Sequence, residues 1–330
     1  MEIRFPTYYN TFCCIAGACP DSCCKEWVVD VDDTSAAYYR SLPGDLGDRL
    51  RSVLEDTENG TTMTIENGRC PMWRQDGLCR IQAELGHNAL CKTCREFPRL
   101  RHDYGDFMEL GLELSCPEAA RLIFSDPGDM QVQIVDGGDT PEYDKKIMQI
   151  LQNSRREALD LLQSTPFSLP EKLAVLLLRA HDIQAQIDGD DALPFDPEAL
   201  LAEAKSYAGQ GDLNSIFAFL QELELLTDRW ESLLLSGPKG YSWTPLLVPL
   251  VRYLINRYWL QSISDWDLLC RVKLIITTCI LVASLGNDTI QCAQLFSKEI
   301  ENNPDNIETI LDGAYTSPAL TDKNLFSLLL

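Results

Sequence analysis

The stretch CCIAGACPDSCC, Cys13–Cys24, puts five cysteines into twelve residues of a 330-residue chain. No apolar residues recur there at helical or strand intervals, so a hydrophobic seam cannot organise this backbone. Sulfur chemistry must organise it instead, through disulfides, metal or redox exchange. The chain is long enough, and at 45% apolar rich enough, to bury a sizeable core without disulfide staples. The opening residues MEIRFPTYYN lack the basic and apolar regions of a secretory leader. The most apolar run, LIITTCILVASL at Leu274–Leu285, is too short to span a bilayer and follows Arg271 and Lys273. These features lead to the expectation of a cytoplasmic protein with no membrane span. Thiols stay reduced in that compartment, and clustered cysteines there point to metal or redox chemistry.

Ten of the thirteen cysteines lie in the first 116 residues: Cys13, Cys14, Cys19, Cys23, Cys24, Cys70, Cys79, Cys91, Cys94 and Cys116. The other three, Cys270, Cys279 and Cys292, sit in apolar helical stretches and read as small core residues. The expected fold is therefore mainly α. An irregular, metal-organised, cysteine-rich part at residues 1–125 joins an all-helical part at 143–330 through a connector at 126–142, DPGDMQVQIVDGGDTPE. In the front part, Asp32–Arg40 and Leu46–Thr57 read as helices and Met63–Ile65 as a short strand. The connector carries a possible strand at Gln131–Val135. Behind it, apolar spacing of three and four predicts helices over Tyr143–Leu162, Pro170–Ile187, Pro197–Tyr207, Asp212–Leu235, Thr244–Ser262, Asp265–Leu285 and Asp288–Asn302. Pro170 and Pro197 suit first helical turns, and Asp212 and Asp288 suit N-caps.

Net charge is −22, from 50 acidic and 28 basic residues. That sign argues against nucleic acid or an anionic membrane surface as the main partner. It suits a lysine-bearing protein surface, and it also serves plain solubility. Thiolates favour zinc, copper(I) and iron–sulfur clusters. Cys91-Lys-Thr-Cys94 makes one close pair, but Cys14-x4-Cys19-x3-Cys23-Cys24 departs from zinc-ribbon spacing. The Cys-x3-Cys-x2-Cys triplet of radical S-adenosylmethionine enzymes is absent from the sequence. His87, His102 and His181 form no spaced pair. No glycine-rich nucleotide fingerprint, nucleophile elbow or His-Glu-x-x-His is present.

Several blocks resemble the flagellin lysine N-methylases. They are Phe12-Cys13-Cys14, Cys19, Cys23-Cys24-Lys25-Glu26-Trp27 and Val29-Asp30-Val31-Asp32. Cys70-Pro71, Leu78-Cys79-Arg80-Ile81-Gln82 and Leu90-Cys91 follow, then Cys94-Arg95-Glu96-Phe97-Pro98-Arg99 and Leu114-Ser115-Cys116-Pro117-Glu118. The front part is also similar to small cysteine-cluster domains that chelate zinc or iron. The resemblance covers about residues 5–125. It implies methyl transfer from S-adenosylmethionine to lysine amines of flagellin, with an iron–sulfur cluster of the 4Fe-4S kind, or zinc in its place. It also implies nine metal ligands: Cys14, Cys19, Cys23, Cys24, Cys70, Cys79, Cys91, Cys94 and Cys116. Cys13 is an extra.

A lysine amine attacks a sulfonium methyl only when deprotonated, so the site must desolvate it, hold a cation beside it or supply a base. Asp30, Asp32 and Glu118 adjoin the motif cysteines as candidate orienters. Trp27 is a candidate for stacking on adenine or for core packing, and Arg95 and Arg99 for holding a carboxylate or forming surface ion pairs. No residue is singled out as catalytic or as binding S-adenosylmethionine. Two other readings fit the residues: a zinc- or iron-binding interaction module without catalysis, and an electron-transfer protein.

Overall fold

The computed structural model describes residues 1–330 except Glu26, Pro127, Thr165 and Asn287, and leaves out the side chain of Ser164. Its strands are β1 (Glu2–Pro6), β2 (Val29–Val31), β3 (Leu54–Thr57), β4 (Gly60–Met63), β5 (Arg99–Asp103), β6 (Phe107–Leu112) and β7 (Met130–Ile134). Among the described residues they form a four-stranded sheet in the order β5-β6-β1-β7 and a three-stranded sheet in the order β2-β4-β3. In the larger sheet β1 runs parallel to β6, with Ile3 opposite Met108, and antiparallel to β7, with Arg4 opposite Val132. A parallel pair needs a crossover connection. Nine of the ten front cysteines, all but Cys116, and the smaller sheet lie within that crossover.

Helices α1 (Asp33–Ser41), α2 (Gly44–Val53), α3 (Arg80–Leu85) and α4 (Lys92–Glu96) accompany the smaller sheet in the chain, and α5 (Pro117–Ser125) lies between β6 and β7. The helix read over Leu46–Thr57 ends at Val53. Leu54–Thr57 instead pair with Gly60–Met63, because cross-strand contacts outweigh local helical spacing. The strand read at Met63–Ile65 accordingly lies earlier, at Gly60–Met63. Strands β1, β5 and β6 had no sequence expectation. The segment read as a connector supplies β7, whose residues are all exposed.

After β7, every named element of the described residues is helical: α6 (Lys145–Ser164), α7 (Leu169–Ile187), α8 (Pro197–Tyr207), α9 (Leu213–Gln221), α10 (Asp228–Leu235), α11 (Leu247–Tyr258), α12 (Leu269–Ser284), α13 (Thr289–Phe296), α14 (Pro304–Thr316) and α15 (Asp322–Leu329). The helix read over Asp212–Leu235 is two helices. Glu299 draws the Leu226 amide and the Thr227 hydroxyl out of helical pairing, and Thr227 then caps α10 through the Trp230 amide. A 3-10 turn, Trp259–Ile263, extends α11, and a π-helical turn, Ser297–Glu301, extends α13. The fold is mainly α, as expected, but it carries two sheets.

The described residues form two apolar cores. The large one is centred on α12, whose sixteen residues are all buried, and it takes in Tyr8, Phe12, Leu112, Leu114 and Ile123 from the front of the chain. The small one gathers Val31, Tyr39, Leu50, Met63, Met72 and Ile81. Tyr39 is fully buried there, and its hydroxyl donates to the Ala89 carbonyl at 2.7 Å. Burial of one such large side chain contributes about 1.5–3 kcal/mol. The front of the chain is therefore not without apolar order, which corrects the expectation that metal alone organises it.

Candidate functional site

The segment after β1 is pinned at Phe12, which is buried in the large core. A 3-10 turn at Ala16–Ala18 lets the Cys19 amide donate to the Ala16 carbonyl at 3.0 Å. Ala16 adopts φ of 50°, a left-handed conformation uncommon outside glycine. At Gly17 a side chain would come within 3.1 Å of the Asp76 carbonyl, so glycine permits the close approach of the 76–78 turn. Further on, the Cys70 amide donates to the Cys24 carbonyl at 2.8 Å, which brings those two cysteines side by side.

Three other cysteines stand directly before helices: Cys79 before α3, Cys91 before α4 and Cys116 before α5. Backbone amides of Gln82 and Ile81 face the Cys79 sulfur, and those of Ala119 and Glu118 face Cys116. Helix N-termini favour anions, so these positions suit thiolates. Cys94 lies one turn into α4, on the same side as Cys91.

A cavity of about 750 Å³ opens between these segments. Seven of the nine expected ligands line it: Cys14, Cys19, Cys23, Cys24, Cys79, Cys94 and Cys116. Cys13 lines it as well. Cys70 and Cys91 are buried behind the wall, within the small core. Burial pushes the Cys116 thiol up to about 11 and raises those of Cys19 and Cys79. Hydrogen bonding with Cys24, then burial, raises Cys23 strongly. The hydrogen bond with Cys23 lowers Cys24, but its bond with Cys70 and burial drive it up to about 12. Cys91 goes the other way, to about 7, because Cys94 hydrogen-bonds to it. Most of these thiols hold their protons unless a metal cation replaces them. Among the described residues, no three His, Cys, Asp or Glu side chains are grouped so as to hold one metal ion. All thirteen cysteines are free thiols, and Cys270, Cys279 and Cys292 are buried, as read from the sequence.

The other sequence candidates divide. Trp27 lines the cavity and meets Phe97 edge-on at 5.4 Å, while Arg99 lies 5.2 Å over Phe12. Arg95 lines it too and donates to the Leu90 carbonyl. Asp32 is structural: one oxygen caps α1 through Ser35, and the other accepts from the Lys92 amide at 2.8 Å. Asp30 holds Thr93 through its backbone carbonyl, and Glu118 pairs with Arg121. These three carboxylates lie outside the cavity wall. Glu26 of the motif lies outside the described residues.

Sequence reading missed Asp21, Arg69, Trp73 and Lys298. The Arg69 guanidinium lies 4.0 Å over the Trp73 ring. Lys298, nearly buried, reaches Asp21 at 3.3 Å from the π-helical turn after α13, and Gln294 donates to the Ser115 carbonyl at 3.0 Å. Burial raises the Asp21 carboxyl, but Lys298 and neighbouring hydrogen bonds outweigh this and hold it below its ordinary value. The end of that turn is fixed from below. Glu301 is buried and accepts from Tyr253 at 2.9 Å and Tyr258 at 2.8 Å, with Arg257 at 3.2 Å. Lys298 lies 277 residues from Asp21 in sequence, and nothing local marks it as part of the site.

The chain is 33% identical over 140 residues to the Flagellar biosynthetic protein FliU of Salmonella muenchen, a match covering 39% of this chain and 81% of that protein. It is equally similar to proteins named Lysine-N-methylase from Salmonella typhimurium and Salmonella choleraesuis, of whose length it spans 34%. No family model and no solved structure matches. At that identity, and with that much of the FliU protein covered, the chain belongs to the flagellin lysine N-methylase family.

Proposed function

We propose that this protein transfers methyl groups from S-adenosylmethionine to lysine side chains of flagellin or another lysine-bearing protein, in the cytoplasm, with a cysteine-bound iron–sulfur centre in its cavity. The observation that carries the reading is the thiol-lined cavity in a chain related to proteins named Lysine-N-methylase. The thiol-rich lining supports the reading. A single zinc bound at about 2.3 Å needs four sulfurs within about 4 Å of one another. A polynuclear cluster takes one thiolate per iron and tolerates wider spacing. Cys14, Cys19, Cys23, Cys24, Cys79, Cys94 and Cys116 in the wall and Cys70 and Cys91 behind it are the candidates from which its thiolates would be drawn. When bound, S-adenosylmethionine supplies the electrophilic methyl group, and the iron–sulfur centre supplies structural or redox chemistry.

The chain's own residues then have defined work. Trp27, Trp73 and Phe97 give the cavity apolar faces that strip water from an entering lysine, which lowers its pKa toward the reactive neutral amine. The cations Arg69 and Lys298 push in the same direction. Asp21 and Glu96 are the carboxylates of the wall and orient the amine. The test is labelled methyl transfer from S-adenosylmethionine to flagellin of the same organism, using anaerobically purified protein. Label on lysine side chains is expected. A folded, metal-replete protein that labels no lysine on flagellin or on any co-expressed protein would overturn the reading in favour of an interaction module.

A further inference from the structure

Among the described residues β7 ends the larger sheet, and its outer edge is bare. The Thr7 amide donates to the Asp129 carbonyl at 3.0 Å, and the Val135 amide to the Met1 carbonyl at 3.0 Å. Such bonds alternate along an antiparallel pair. Asp129, Gln131, Gln133 and Val135 therefore bond toward β1, while Met130, Val132 and Ile134 turn their amides and carbonyls outward. The same three residues share one face, opposite Pro6, Arg4 and Glu2. Arg4 stands opposite Glu109, which Arg155 of α6 meets, so this is the face that α6 covers. The helical layer stops short of β7: Val132 is 57% exposed and Ile134 72%.

Natural sheet edges are guarded by charge. The other outer strands of the two sheets follow this rule: β5 carries Arg99, Arg101 and Asp103, β2 carries Asp30, and β3 carries Glu55 and Asp56. Strand β7, MQVQI, carries no charge. Charge stands at its ends instead, with exposed Asp129 before it and exposed Asp136 and Asp139 after it. Arg252 approaches Asp129 only to 3.8 Å.

We propose that β7 is a docking edge for an extended, lysine-flanked segment of a protein partner, which adds to the sheet as a fifth strand. The partner's backbone pairs with the outward groups of Met130, Val132 and Ile134, and its apolar side chains cover theirs. Its lysines meet the carboxylates at the two ends of β7. A second copy of the chain fits less well. Pairing two β7 strands about Val132 gathers Asp129 of one copy beside Asp136 of the other at both ends, between chains of net charge −22. The inference rests on the lysine-bearing substrate proposed above and makes β7 the place where that substrate is held. Strands β1 and β6 both lead to the cavity, reaching it at Phe12 and Ser115, and Met130 stands opposite Pro6 at that end of the sheet. A docked strand thus ends on the cavity side, about 19 Å from β5, a span that about six extended residues cross.

The experiment uses the full chain and a synthetic peptide of five alternating valines and threonines with two lysines at each end. Binding is read by fluorescence anisotropy and by amide hydrogen exchange. The expected result is binding that weakens as salt rises, with new protection at Met130, Val132 and Ile134. Glutamates in place of the peptide's lysines should weaken binding about tenfold or more. Val132→Pro removes the central outward amide without touching a bond to β1, and Val132→Lys guards the edge with charge. Each should weaken the lysine peptide about tenfold or more and leave the thermal midpoint unchanged. With flagellin as methyl acceptor, both should raise KM and leave kcat unchanged. Peptide binding that leaves those three amides unprotected, or that survives both substitutions, would overturn the docking edge. So would a dimer of the unsubstituted protein that either substitution dissociates, since a second copy would then hold the edge. Edge protection by the peptide with no methyl transfer to flagellin would keep the docking edge and count only against the methylase reading. Methyl transfer with KM unchanged in both variants would overturn the docking edge and leave that reading standing.

Discussion

Glu109 and Arg155 show how single residues join the sheet to the helices. Glu109 is buried on β6, and Arg155 on α6 meets it with two hydrogen bonds, at 2.6 and 2.7 Å. Removing one partner of such a pair strands a buried charge, which costs about 3–5 kcal/mol. Arg155→Met should lower stability by about that much in urea unfolding, whereas Arg155→Met with Glu109→Leu should recover most of it. A single substitution that shifted stability by less than about 0.5 kcal/mol would show the pair to be solvated. Asp322 sets a pH dependence. Burial raises its carboxyl, but His181 and Lys273 outweigh burial and bring it down to about 2. A carboxyl depressed in the folded state favours folding above its unfolded value of about 4 and loses that contribution as the pH falls through the folded value. Stability should therefore decline between about pH 4 and about pH 2, and Asp322→Asn should flatten that part of the curve. An unchanged acid slope in Asp322→Asn would assign the decline to other carboxylates.

Elements show the same economy of local signals and distant partners. Helix α7 opens with a reciprocal cap: the Ser168 amide and hydroxyl both bond Glu171, and Ser168 in turn receives the helix's own amide. Ser168→Ala should cost about 1 kcal/mol, read as a shift in the denaturant midpoint at constant slope. Helix α12 is different, because all its faces are covered. Ile280→Ala there should cost about 2–5 kcal/mol through lost contacts and the cavity left behind. A cost near that of a surface substitution would mean that the neighbouring helices collapse into the space. Lys273 is tolerated within this helix because its ammonium reaches the Ala314 carbonyl and Asp322, each at 2.8 Å.

At the scale of the whole molecule, the helical part holds the cysteine loop through Lys298 and Gln294, both of which reach Asp21. Lys298→Met should raise hydrogen exchange in residues 13–24 while barely moving the thermal midpoint of the helices. Unchanged exchange there would show that the thiols alone hold the loop. The net charge of −22 acts over longer distance. If the protein meets a lysine-bearing partner, methyl transfer at low substrate should slow as salt rises from about 0.01 to about 0.15 M, where screening shortens electrostatic reach from about 30 Å to about 8 Å. A rate indifferent to salt would reduce that charge to a solubility device.

Local chemistry carried most of the helical part. Pro197 with Asp196 before it starts α8 where the spacing placed it, and the apolar period runs on through α12. The buried thiols of Cys270, Cys279 and Cys292 follow from the same period. The family was legible from the cysteine blocks alone. Tertiary structure decided the rest, since those choices depend on partners far away in sequence. Glu2 meets Phe107 in a parallel pair that no short pattern announces, and Glu299 breaks one apparent helix into α9 and α10 from more than seventy residues away. The site divides in the same way: the sequence names the thiols, because their spacing and type are local, whereas only packing brings Lys298 to Asp21 and sets Cys70 and Cys91 in the small core and Cys116 against the large one.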